Sequence, residues 1–265
     1  MLAVTYAINF LGMILLPILL GIYLSRRFKL SWRLFLAGAL TFIAAQVIHL
    51  PVLTGLTILF NTGVLPAPAE AWTRLFNAVV LGLLAGIFEE TARYILFKFV
   101  LKKTRTWNEG LMVGTGHGGI EAILLGLAVA VTYFTMLSMK NADLAALPAI
   151  PADQLPLLQQ QVSEYWSAPL YMSLLGFVER IFAMAMQITL SVMVLRSVTL
   201  EQPLWFWLAI LWHALVNGTA TYLLPTLGMA GVEIVIAGFA FVSLIILFTM
   251  RPAMQPKTDE AGIAP

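Results

Sequence analysis

The stretch LFNAVVLGLLAGIFEETARYILFKFVL, residues 75–101, is apolar enough to cross a bilayer as a helix, yet carries Glu89, Glu90 and Arg93 near its middle. About 20 apolar residues suffice for one crossing. An ionised carboxylate near the midplane is expensive, so such residues face a protected polar cavity with a partner rather than lipid. Glu89 and Arg93 are four positions apart and Glu90 and Arg93 three, and both spacings permit a pair on a helix surface. Adjacent carboxylates point about 100° apart on a helix. One glutamate therefore pairs with Arg93 while the other is free to face the cavity.

Outward from this stretch the apolar pattern repeats. The spacing predicts seven spans, at 3–24, 34–60, 75–101, 110–137, 169–195, 204–224 and 231–250, with Pro51 as a kink in the second. The fold class is all-α, a polytopic transmembrane helix bundle. Residues 1–250 form one transmembrane domain and 251–265 a short disordered cytoplasmic tail. Of 265 residues, 60% are hydrophobic and 11% charged, with a mean hydropathy of +0.91. A soluble domain is about one quarter charged. The net charge of +2 is too small to suggest nucleic acid as a partner. The absence of cysteine excludes disulfides and thiolate metal sites.

Eleven basic residues fall in the loops and tail of one side (Arg26, Arg27, Lys29, Arg33, Lys98, Lys102, Lys103, Arg105, Arg196, Arg251 and Lys257) and two, Arg74 and Lys140, on the other. The positive-inside rule then puts the N-terminus outside and the C-terminus in the cytoplasm. The apolar start lacks a basic flank and a small-residue cleavage site, so it reads as the first span rather than a cleaved signal. The long outer loop 140–168 allows either an interfacial helix, capped by Asp153 with Leu155, Leu158, Val162, Tyr165 and Trp166 on one face, or an irregular proline-rich loop.

Two further spans carry paired polar residues. Gly114-Thr115-Gly116-His117-Gly118-Gly119-Ile120-Glu121 places His117 and Glu121 on one helical face. That spacing suits two ligands of one metal, or a histidine oriented by a carboxylate. Its glycines permit close backbone approach or local unwinding. His213 and Asn217 repeat the spacing in the sixth span, an imidazole for ligation or proton transfer and an amide able to donate to an oxyanion. The fifth span holds Glu179 and Arg180, neighbours that do not face each other on a helix. They read as structural, Glu179 pairing with Arg93 and Arg180 with Glu90 or Glu121. His49 reads as a packing histidine. At 1.5 Å per residue, His117, Arg93, His213, Glu121 and Glu89 lie about 10, 12, 14, 16 and 18 Å from the cytoplasmic end of their spans, so one site can contain all five.

Glu89-Glu90-x-x-Arg93, Gly-x-Gly-His117-Gly-Gly-Ile-Glu121, Glu179-Arg180 and His213-x-x-x-Asn217 together resemble the YhfC-like family of intramembrane metalloproteases. The motif layout is also similar to CAAX prenyl proteases, bacteriocin-processing enzymes and PrsW-like proteases, although the arginine here comes one residue earlier than in the CAAX-protease pattern. The resemblance runs from about Phe76 to Asn217. It implies an active centre of Glu89, Glu90, His117 and His213, with Glu89 as the water-activating base and Asn217 holding the tetrahedral intermediate. Arg93, Glu121, Glu179 and Arg180 support it.

The expected activity is hydrolysis of peptide bonds at or within the membrane, with or without a divalent metal. Zinc suits a His/Glu set, here His117, His213 and Glu121. The expected partners are the lipid bilayer and a membrane protein or peptide substrate, in a cell membrane of the bacterial plasma-membrane type. The alternative use of the same charges is a proton- or cation-coupled transporter.

Overall fold

The computed structural model of the chain describes residues 1–144, 151 and 153–254. Among them are seven α-helices and no strand: α1 (Leu2–Phe28), α2 (Trp32–Asn61), α3 (Glu70–Ile95, prolonged by a π-helical turn Leu96–Val100), α4 (Trp107–Met139), α5 (Leu155–Ser167), α6 (Leu175–Thr199) and α7 (Leu204–Met250). Six of these helical stretches are long and apolar enough to cross a membrane. The first five predicted spans each fall on one helix, and α2 runs on through Pro51.

The sixth and seventh predicted spans are joined in α7, whose 47 residues would reach about 70 Å as a straight rod, more than twice the hydrocarbon thickness of about 30 Å. The helix is broken at Gly228, where φ 65° and ψ 177° are non-helical and suit a residue without a side chain. Its two halves fold back on each other: Trp212 Nε1 donates to Ser243 Oγ at 2.9 Å, and the Trp212 and Phe239 rings meet edge to face at 5.4 Å. With six candidate spans among the described residues, the last of them bent back on itself at Gly228, the chain is a multi-pass membrane protein.

α6 sits at the centre, packed against α1, α3, α4 and α7. Its residues are far more enclosed than those of the other spans, and Met184, Ile188, Val192 and Leu195 join Met112 and Val113 of α4 in the main core. Lipid takes the place of solvent around the rest, so Leu11, Leu40, Leu83 and Phe241 are exposed without penalty. The start of α4 is fixed by a reciprocal cap, in which Glu109 Oε2 accepts from the Thr106 N–H at 2.9 Å and Thr106 Oγ1 accepts from the Glu109 N–H.

In loop 140–168 the helical alternative holds. Gln154 rather than Asp153 occupies the N-cap position of α5 and makes no side-chain cap, and a proline sits in the first turn where the missing N–H does no harm. Tyr165 stacks on Tyr6 at 4.2 Å and Trp166 Nε1 donates to the Met136 carbonyl at 3.0 Å, which ties α5 to the ends of α1 and α4. Residues 145–150 of this loop lie outside the described residues, as do residues 255–265 of the predicted tail. The tail begins with a 3₁₀ turn, Pro252–Met254, whose Met254 is buried in the core.

Candidate active site

Glycines set how closely the helices carrying the polar residues approach. A Cβ on Gly116 of α4 would overlap the Phe35 carbonyl of α2, and one on Gly38 of α2 would overlap the Val113 carbonyl of α4. One on Gly118 would stand 2.7 Å from Gln187 Cβ of α6. On α3, a Cβ on Gly86 would stand 2.7 Å from the Ile210 carbonyl oxygen of α7. The glycines around His117 therefore serve close approach, because α4 is helical throughout and nothing unwinds. These contacts bring α2, α3, α4, α6 and α7 around one point.

At that point Glu89, Glu90, Arg93, His117 and His213 converge, all buried. Glu89 Oε2 lies 3.0 Å from His117 Nε2 and 4.0 Å from His213 Nε2. His117 Nδ1 lies 2.9 Å from Thr41 Oγ1. We assign the single Thr41 hydroxyl proton to the Gly38 carbonyl at 2.6 Å; on that assignment its oxygen accepts and His117 Nδ1 carries the hydrogen. Nε2 and the Glu89 carboxylate then face each other as two acceptors and share one proton. His213 is held in the same sense, its Nδ1 2.7 Å from Glu90 Oε1, which leaves Nε2 turned toward Glu89.

Charge in the centre then balances. Arg93, fully buried, bonds Glu90 through one guanidinium nitrogen and Gln187 Oε1 through another, and reaches Glu89 only at 3.9 Å. Arg93 neutralises Glu90, and the proton shared with His117 neutralises Glu89. One arginine thus suffices for two buried carboxylates, with Glu90 the paired one and Glu89 turned to the cavity.

That cavity measures about 70 Å³ and is lined by Glu89, Glu121, Gln187, His213 and Asn217, among others. A water needs only about 10–15 Å³ of such volume and two to four polar partners, so the cavity is large enough for water but not for a peptide. Gln187 joins its two carboxylates, its Nε2 lying 2.9 Å from Glu121 Oε2 and 3.4 Å from Glu89 Oε2.

The remaining sequence-predicted residues stand at the edge. Arg180 bonds Glu121 at 2.8 Å and also its own neighbour Glu179. The expected Glu179–Arg93 pair is not formed, because Arg93 is already used by Glu90 and Gln187. The adjacent pair forms because the five donors of a guanidinium on a long stem can serve two carboxylates at once. Glu121, expected as a metal ligand, has its two oxygens engaged by Arg180 and Gln187; the carboxylate that faces both imidazoles is Glu89. Among the described residues no group of three or more His, Asp or Glu side chains is spaced to enclose a metal ion.

Three residues of the site escape a reading of the sequence centred on charges and histidines. Thr41 orients His117, Gln46 Nε2 donates to Glu89 Oε1 at 3.2 Å, and Glu233 on α7 comes within electrostatic reach of Glu179 and Arg180. Thr41, Gln46 and His49 lie within an arc of about 140° on α2, and that clustering is the signal that points to a polar face. His49 stacks on Phe88 at 5.5 Å.

Thr41→Val keeps the volume but removes the acceptor for the His117 Nδ1 hydrogen. It is expected to lower stability by about 1–3 kcal/mol, the cost of an unpaired buried donor. It should also change the ¹⁵N shifts of the His117 ring; identical spectra in the two proteins would contradict the assigned tautomer.

The YhfC intramembrane metalloprotease family matches residues 12–240. The chain is 35% identical over 263 residues to a protein of Bacillus subtilis (strain 168) named "Uncharacterized membrane protein YhfC", covering 96% of each. No solved structure matches. The match takes in every helix that supplies the buried Glu, His and Arg cluster, and the chain belongs to the YhfC intramembrane metalloprotease family.

Proposed function

We propose that this protein is a membrane-embedded peptidase that hydrolyses peptide bonds at or within the bilayer with water activated by Glu89. The observation that carries the reading is the placement of Glu89: Oε2 is 3.0 Å from His117 Nε2 and 4.0 Å from His213 Nε2, at the wall of a water-sized polar cavity. With the shared proton resting on His117 Nε2, Glu89 is a carboxylate and takes a proton from water in the cavity. The water oxygen bonds to the carbonyl carbon. The His117 imidazolium would donate to the developing oxyanion, and the Asn217 amide, which lines the cavity, would assist it. The C–N bond then breaks and the proton held by Glu89 leaves on the amine.

The family name implies a metal; the donor types suit one, although their spacing in this structure does not enclose an ion. Both imidazoles are held at Nδ1, by Thr41 and by Glu90, the arrangement that presents Nε2 for ligation. In a metal-bound form His117, His213 and Glu89 would hold the ion in place of the proton shared between His117 and Glu89, and zinc suits that set. When bound, it would polarise the scissile carbonyl and acidify a water. With the basic loops on the cytoplasmic side, the site lies between the midplane and the cytoplasmic third.

The test is incubation of the purified protein in lipid vesicles with a panel of transmembrane peptides, read by mass spectrometry. Cleavage inside an apolar segment supports the proposal. Substrate flux that depends on Glu89, with every peptide left intact, would replace it with ion-coupled transport.

A further inference from the structure

α2 and α4 touch at Gly38 and Gly116. Between them lies an open groove of about 470 Å³, walled by Phe42, Ile43, Val47 and Leu50 of α2 and Leu124 and Leu125 of α4. All but Phe42 are exposed where lipid would surround the helix. The floor is polar, made of Gln46, Glu89 and Glu121. Glu89 and Glu121 also line the inner water-sized cavity, so these two carboxylates separate the groove on the lipid side from the cavity within.

We infer that this groove is the substrate cleft: it admits an unwound, apolar stretch of a membrane-spanning polypeptide sideways from the lipid and lays its peptide bond against Glu89. The inference rests on the hydrolytic reading of the site and adds to it the route and the class of substrate. The floor decides the occupant. A lipid acyl chain would match the walls but brings no polar atom to a side-chain amide and two carboxylates. An intact helix brings none either, because its N–H and C=O groups bond one another. An unwound segment has free N–H and C=O groups that cannot remain unpaired in lipid. Carboxylate oxygens accept from its N–H groups, and the Gln46 amide, now 3.2 Å from Glu89 Oε1, donates to its carbonyls. Substrates should therefore carry glycine or proline within the span, which lowers the cost of unwinding by about 1–3 kcal/mol per residue.

The test uses two synthetic Lys-flanked Leu/Ala spans in vesicles, one with a central Gly-Pro and one without. The protein carries Leu124→benzoylphenylalanine in the groove or, as a control, Leu211→benzoylphenylalanine in the apolar groove between α3 and α7, which is of similar volume and has no charged residue in its lining. On illumination, position 124 should capture the Gly-Pro peptide at least about fivefold more than position 211 does, and more than the unbroken peptide, a difference of about 1 kcal/mol. Ile43→Trp, which fills the groove from an exposed position, should bring capture down to the control level. Equal capture at both positions, or of both peptides, overturns the proposal. Capture does not require cleavage, so the two readings fail separately. Capture at 124 with no peptide ever cut would remove the hydrolytic reading and leave the groove. Cutting that continues unchanged in Ile43→Trp would remove the groove and leave the hydrolytic reading.

Discussion

Glu89→Gln is expected to lower peptide hydrolysis by about 10³-fold, within the range of about 10²–10⁴ for loss of a positioned general base. The substitution is nearly isosteric and should leave the fold intact. The glutamine amide can donate to His117 Nε2, whose other nitrogen stays on Thr41, so the 3.0 Å contact keeps a hydrogen bond. What is lost is the ability to take a proton from water. Rate and stability should therefore separate: hydrolysis collapses while the unfolding midpoint in detergent moves little. A variant that kept most of its rate would remove Glu89 from the chemistry.

Arg93→Met is expected to do the opposite, destabilising the whole bundle by about 3–5 kcal/mol, the cost of stripping one partner from a buried ion pair. Arg93 is fully buried and is the cation bonded to Glu90, whose other oxygen has no protein partner among the described residues. Without it Glu90 keeps only the His213 contact, and Gln187 loses the donor that fixes its amide between Glu89 and Glu121. Unfolding in a denaturing-detergent titration should show the loss directly. Adding Glu90→Gln removes the stranded charge and should recover part of it. An unchanged midpoint in Arg93→Met would contradict the charge balance proposed for the centre.

How much of this was legible in the sequence depends on how each residue announces itself. Glu89, Glu90 and Arg93 stood out because a charge in an apolar span has a cost that demands a reason. His117 and His213 stood out through their i, i+4 partners. The division of labour between the two glutamates was not legible from spacing, since both i−3 and i−4 reach Arg93, and Glu89 was favoured only by the family resemblance. Thr41 and Gln46 were not found, because neutral polar residues are common enough in spans to raise no alarm. The pairing of Arg180 was only half legible: Glu121 was among its expected partners, but the adjacent Glu179 was not, since side-chain reach rather than helical spacing decided it. The break in α7 was visible as two spans, although Gly228 joins the halves with no intervening loop. The groove between α2 and α4 could not be read at all, because it depends on how two helices pack, which the spacing along either one does not give.

The central claim is that Glu89 directs water to a peptide bond inside the membrane. The most direct measurement is cleavage of a transmembrane peptide in H₂¹⁸O by the wild-type protein and by Glu89→Gln, with both products analysed by mass spectrometry. The account predicts one ¹⁸O atom in the new carboxylate of the wild-type product and almost no product from Glu89→Gln. Comparable product from both proteins would contradict it.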